Sequence, residues 1–205
     1  MSARTLAVVS AGLSEPSSSR LLADQLATAT VAALDRKGVE AATEAVELRE
    51  LAHDLTNNLL TRFASARLQA AKDAVAAADG LIAVTPIFSG SYSGLFKSFF
   101  DLLDPDALVD SPVVIGATAG TARHSLALDH ALRPLFVYLK AVVVPTGVFA
   151  ASDDWGSGSE ASGPLAQRVD RAAAQLADLI AARPQRAAAT DPYDDPVPFE
   201  QLLRE

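Results

Sequence analysis

Short apolar runs punctuate the chain at wide intervals, each ending in small or helix-breaking residues. Leu6-Ala7-Val8-Val9 stops at Ser10-Ala11-Gly12, and Gly80-Leu81-Ile82-Ala83-Val84 gives way to Thr85-Pro86. Pro112-Val113-Val114-Ile115-Gly116-Ala117 opens into a hydroxyl-rich loop, and Ala141-Val142-Val143-Val144 ends at Pro145. These runs do not alternate and are too short for independent helices, so they read as strands buried on both faces. Val39 to Leu48 alternates loosely and reads as an outer strand. Between them the period changes. Leu22, Leu26, Ala29 and Ala33 share one helical face and predict a helix over 18–37, closed by Gly38. Leu68, Ala71, Val75 and Ala78 mark a second helix, and further helices are expected over 93–103 and 124–139. Leu165, Val169, Ala172, Leu176 and Leu179 mark the last. Residues 49–65 fit no period, and Asn57-Asn58 favours a loop there.

Strands alternating with helices imply right-handed βαβ crossovers and a parallel sheet covered on both faces. The expected fold is α/β: a flavodoxin-like three-layer sandwich around a five-stranded parallel sheet of order 2-1-3-4-5. One domain over residues 1–183 is expected, followed over 184–205 by an acidic, proline-rich tail with Asp191, Pro192, Asp194, Asp195, Pro196 and Pro198.

Composition narrows the chemistry. Half of the 205 residues are hydrophobic and the formal charge is −8, which excludes a nucleic-acid binder relying on basic stripes. With no cysteine there is no disulfide, thiolate nucleophile or Cys-ligated metal. The N-terminus lacks the pattern of a secretory signal, and no run reaches the ~18 apolar residues of a membrane span. A cytoplasmic chain with no membrane association is expected.

In an open parallel sheet, ligands bind beyond the carboxyl ends of the strands. Three loops are expected to meet there. The first, SAGLSEPSSSR, places Ser17, Ser18, Ser19 and Arg20 at the start of a helix. Free N–H groups, the helix dipole, hydroxyls and a guanidinium suit a phosphate; simple capping by one serine is the competing reading. Neither G-x-G-x-x-G nor a Walker sequence is present. The second loop runs from Thr85 to Gly94. Its Gly90-Ser91-Tyr92-Ser93-Gly94 imitates a nucleophile elbow but has tyrosine at the nucleophile position, so a hydrolase is rejected. Pro86 stiffens the strand exit, Gly90 and Gly94 admit close backbone approach, and Phe88 and Tyr92 offer flat surface for a planar heteroaromatic group. A tight turn with two surface aromatics is the alternative. The third loop, Thr118 to His124, is small enough to leave one side open. Arg123 and His124 there either face a second, anionic ligand or are solvated beside a cap at Thr121.

Together these loops resemble the NADPH-dependent FMN reductase family of flavodoxin-like proteins. The resemblance rests on the serine–arginine loop and on T-P-x-x-x-x-S-Y-x-G-x-x-K, present as Thr85, Pro86, Ser91, Tyr92, Gly94 and Lys97. SYSGLFKSFFDLLDPDAL and GTARHSLALDHALRPLF are similar to runs of an actinobacterial branch of FMN reductases. The resemblance implies FMN and NADPH as cofactors. Ser10, Ser17, Ser18, Ser19 and Arg20 would take the phosphate and ribityl end; Pro86, Ile87, Phe88, Ser89, Ser91 and Tyr92 would line the isoalloxazine; Thr118, Ala119, Gly120 and Thr121 would meet its edge. Arg123 and His124 are candidate substrate contacts. No catalytic side chain is expected, since hydride transfer is the cofactor's chemistry. Two departures stand out: Ser89 replaces a frequent asparagine and Ala119 a frequent glycine. A flavin-dependent monooxygenase as recipient of reduced flavin, and a homodimer or homotetramer, complete the expectations. Rival readings on the same scaffold are a flavodoxin-type carrier and a quinone or azo reductase. Trp155 either covers the nicotinamide, within one chain or across a dimer interface, or folds back on its own surface, the second being the favoured reading.

Overall fold

The computed structural model describes residues 3–155 and 163–186. Its central strands are β1 (Arg4–Ser10), β3 (Gly80–Phe88) and β5 (Pro112–Ala119), with β2 (Ala41–Glu47) at one edge. The two-sided burial inferred from the apolar runs is literal. Ala7, Val9, Leu81, Ala83, Val113 and Ile115 enter one core, while Leu6, Val8, Ile82, Val84 and Val114 enter the other. Helices α1 (Ser18–Asp35) and α6 (Pro164–Ala181) cover the second of these faces. The first is covered by α2 (Ala52–Thr61), α3 (Ala66–Ala77), α4 (Gly94–Phe100) and α5 (Arg133–Tyr138).

The parallel tracks follow the expected 2-1-3-4-5 order, but the sheet has seven strands. The fifth track is split into β6 (Val142–Val143) and β7 (Val148–Ala151), which pair in parallel with successive levels of β5. Pro145 offers no N–H to the ladder. Side chains satisfy the break: Arg133 donates to the carbonyls of Val144 (3.0 Å) and Pro145 (3.1 Å), and Thr146 N–H donates to Gln175 Oε1 (2.9 Å). The other addition is β4 (Ser91–Tyr92), which folds back antiparallel onto the end of β3.

Two further expectations change. Residues 49–65 contain a 3₁₀ turn and α2, with Asn58 buried inside the helix rather than in a loop. The single helix expected over 124–139 is a 3₁₀ turn (Ala122–His124), a π turn (Leu128–Leu132) and α5. Pro134 has no N–H to give His130, so the α register cannot run through, and Arg133 N–H reaches Leu128 C=O instead.

At the amino edge of the sheet, the Asp79 carboxylate accepts from Arg4 Nη1 (2.8 Å), Thr5 N–H (2.9 Å) and Arg186 N–H (2.9 Å). Arg186 also donates to Ala107 C=O (2.9 Å) and bonds Ser111. Residues up to Arg186 thus contact the packed body, and residues 187–205 of the expected tail lie outside the described residues. Among the described residues no helix is long and apolar enough to cross a membrane.

Candidate functional site

Register brings the strand ends together. Ser10 pairs with Val84, Pro86 with Thr118, Thr118 with Ala150, and Ala119 with Ala151. The segments leaving these strands enclose a cleft of about 360 Å³, within the range usual for small-molecule sites.

The first wall is the start of α1. Ser17 caps the helix by accepting from Arg20 N–H (3.2 Å), so the capping reading holds for this serine. The first helical bond runs from Leu21 N–H to Ser17 C=O (3.0 Å). This leaves the Ser18 and Ser19 N–H groups at the positive end of an 18-residue helix. Gly12 is required by proximity: a Cβ there would lie 1.8 Å from Ser17 Oγ. Ser10 is buried at the end of β1, and Ser18 is exposed at the cleft. Ser19 is buried too, its Oγ 2.7 Å from Thr118 Oγ1, tying the first wall to the third. Arg20 does not join them. Its guanidinium donates to Asp24 (2.8 Å) and Glu47 on the β2 side, and it lines a different hollow. The Asp24 hydrogen bond is the largest cause raising its pKa above the usual value.

The second wall is the β3–β4 hairpin. Ile87 pairs with Tyr92 and Phe88 with Ser91, so alternation sends Tyr92 towards the core, 6.0 Å from the Phe96 ring. Phe88 stays 48% exposed and lines the cleft with Pro86 and Ile87. Tyr92 anchors this wall rather than facing the cleft. Ser89 (φ 50°) and Gly90 (φ 84°) both occupy the left-handed region, as a two-residue hairpin turn demands. Gly90 thus serves the turn. Buried Thr85 fixes the base: its hydroxyl accepts from Ser93 N–H (3.1 Å) and donates to Pro86 C=O (2.9 Å).

Thr118, Ala119 and Gly120 form the third wall. Thr121 caps the next turn, its Oγ1 accepting from Arg123 N–H (3.4 Å). Ser91, Arg123 and His124 lie in an adjoining cleft of about 420 Å³. Trp155 and Ser152 supply a fourth wall. Trp155 packs back against the α1–α6 core of its own chain and at the same time lines the cleft. Ser152 is not among the expected contacts; its signal is the true end of the fifth track, Ala151, which puts it directly at a strand exit. Gly12, Leu13 and Ser14 were also missed, although they sit in the loop already singled out.

The donor set suits FMN: backbone N–H groups and hydroxyls at a helix start for the phosphate, and flat apolar or small walls for the ring. The lining holds no Asp, Glu, His, Lys or Arg. Among the described residues no cluster of His, Cys, Asp and Glu is placed to hold a metal. Besides the adjoining cleft, two other hollows are larger. One, of about 460 Å³, surrounds the structural Asp79–Arg186 pairing. The second, of about 790 Å³, carries Asp24, Asp35 and Glu40, which repel phosphate.

Comparison with known proteins agrees with this geometry. Residues 4–156 match the family described as NADPH-dependent FMN reductase. An FMN reductase (NADPH) of Pseudomonas aeruginosa is 44% identical over 138 residues, 67% of this chain and 74% of that protein. The NADH-dependent FMN reductase SfnF of Pseudomonas fluorescens is 42% identical over 135 residues, 66% of this chain and 72% of its own length. A crystal structure of an oxidoreductase from Corynebacterium diphtheriae superposes with a TM-score of 0.83 at 50% identity, covering 89% of this chain and 99% of that one. The chain belongs to the NADPH-dependent FMN reductase family, NAD(P)H:flavin oxidoreductases built on the flavodoxin-like fold.

Proposed function

We propose that the cleft between Ser17, Phe88, Gly120 and Trp155 is where this NAD(P)H-dependent FMN reductase holds its flavin and admits its hydride donor. The Ser18 and Ser19 N–H groups and the neighbouring hydroxyls hold the phosphate, electrostatically favoured by the start of α1. Pro86, Ile87 and Phe88 support the ring, and Thr118, Ala119 and Gly120 meet its edge. Bound there, FMN supplies the two-electron chemistry, accepting hydride from NADPH and passing reducing equivalents to an acceptor. The residues of the chain orient and exclude water; none in the lining moves a proton. Arg20, held by Asp24 and Glu47, has no part in phosphate binding in this arrangement.

One observation carries the reading: a helix start rich in free donors and a flat apolar hairpin face each other across one cleft. The small third wall leaves room for a nicotinamide, which favours a reductase over a carrier that closes both ring faces. Purified chain is expected to bind FMN in a fluorescence titration and, with FMN added in air, to consume NADPH steadily. FMN binding without NADPH turnover would favour the carrier; no flavin binding would end the proposal.

The acceptor we propose is a flavin-dependent monooxygenase in the cytoplasm, supported by the openness of the cleft beside half-exposed Phe88. A homodimer or homotetramer is proposed from the exposed Leu126, Val137 and Tyr138 around α5. Light scattering at several concentrations tests it.

A further inference from the structure

The β3–β4 hairpin contributes to two clefts. Pro86, Ile87 and Phe88 on β3 line the first, and Gly90 and Ser91, at the turn and the start of β4, line the second, of about 420 Å³. Opposite Ser91 stand Arg123 and His124 on the 3₁₀ turn and His130 on the π turn. In a chain of formal charge −8, a lining with these basic side chains and no carboxylate is a local reversal of sign.

The arrangement keeps it so. Asp129, next to His130, is held by Arg133 Nε (2.9 Å), whose guanidinium is anchored to the Val144 and Pro145 carbonyls. Arg123 pairs with no carboxylate among the described residues, although its backbone is fixed by the Thr121 cap. Arg20, by contrast, is paired with two acids. An unpaired guanidinium beside a hydroxyl and imidazoles is a donor set for a phosphate dianion.

We infer that this second cleft is the subsite for a phosphate group of the nicotinamide donor, with Arg123 as its main charge and His130 and Ser91 as hydrogen-bonding partners. The inference rests on the flavin reductase reading of the neighbouring cleft. The dinucleotide spans the hairpin: its nicotinamide enters the flavin cleft while a phosphate stays among Arg123, His124 and His130. Two phosphates of the donor share this chemistry, the pyrophosphate and the 2′-phosphate that distinguishes NADPH from NADH.

The test compares wild type with Arg123→Ala and His130→Gln at saturating FMN, measuring initial rates with NADPH and NADH, together with calorimetric titration by NADP⁺. Arg123→Ala is expected to raise KM for NADPH about tenfold or more, the scale of a lost charge-assisted hydrogen bond, with the loss in KM rather than kcat. NADP⁺ affinity should fall in parallel. A rise confined to NADPH assigns the subsite to the 2′-phosphate, and an equal rise for NADH assigns it to the pyrophosphate; both support the inference. Unchanged KM for both donors in both variants overturns it. A wild type that oxidises neither donor sinks the flavin reductase reading instead. The NADP⁺ titration then still decides the subsite, which is overturned if Arg123→Ala binds NADP⁺ as tightly as wild type.

Discussion

Gly12→Ala is a one-methyl test of the flavin cleft. The added Cβ would stand 1.8 Å from Ser17 Oγ, with Ser17 Cβ at 3.0 Å and Ser19 Cβ at 3.3 Å. The carbon contacts need a shift of a few tenths of an ångström, but the hydroxyl must retreat by well over an ångström. That retreat breaks its bond from Arg20 N–H, the cap of α1. Losing such a cap costs about 1 kcal/mol, and the residual crowding brings the total to roughly 1–2 kcal/mol. Because the same helix start holds the proposed phosphate, FMN affinity should fall about tenfold, or ~1.4 kcal/mol. Ser17→Ala alone should lose the cap, about 1 kcal/mol. The double variant Gly12→Ala/Ser17→Ala has no hydroxyl to displace, so it should match Ser17→Ala within about 0.5 kcal/mol rather than sum the two losses. Urea unfolding supplies the stabilities and flavin fluorescence the affinities. Additive losses across the cycle would refute the argument that Gly12 acts through the Ser17 hydroxyl.

The other predictions address the remaining walls and the frame. Arg20→Ala should change FMN affinity less than about threefold, since Asp24 and Glu47 hold its guanidinium away from the cleft; a tenfold loss in titration would return Arg20 to the phosphate site. Ser19→Ala strands the buried Thr118 hydroxyl and should cost about 1–2 kcal/mol in urea unfolding while weakening FMN. Ser89→Asn suits a turn residue at φ 50° better and should raise the urea midpoint by an amount worth a few tenths to about 1 kcal/mol, with the m-value constant. Asp79→Ala leaves Arg4 and Thr5 N–H without their partner and should cost about 3 kcal/mol, with FMN affinity in the still-folded fraction preserved because the carboxylate lies at the opposite sheet edge.

What the sequence declared and what it hid follow from how each element is encoded. The central strands are buried on both faces, so their apolar runs announce them, and the stripe of α1 does the same. α2 hid because its stop is Arg62 at φ 67°, whose N–H bonds Asn58 C=O. A glycine there would have marked the end, whereas Asn57-Asn58 imitated a loop. Pro145 looked like the close of the fifth strand but only interrupts it, since Val148–Ala151 resumes the pairing. That displaced the strand exit and hid Ser152. Around the cleft, the three loops singled out by residue type do come together, yet side-chain orientation was not readable. Tyr92 faces the core because hairpin pairing puts it beside Ile87, and Arg20 turns to Asp24 one helical turn on and to Glu47, which lies far from it in sequence.

The interrupted fifth track has a consequence for how such a protein changes over time. Arg133 and Gln175 hold the backbone across Val144 to Thr146 with side chains, so the lower segment does not depend on the upper one for its hydrogen bonds. The join behaves as a splice point: the portion carrying Trp155 can be lengthened, shortened or exchanged while the sheet beneath keeps its alignment. Under the proposed reading of the cleft, one replaceable cassette would then retune the Trp155 side while leaving the start of α1 as it is.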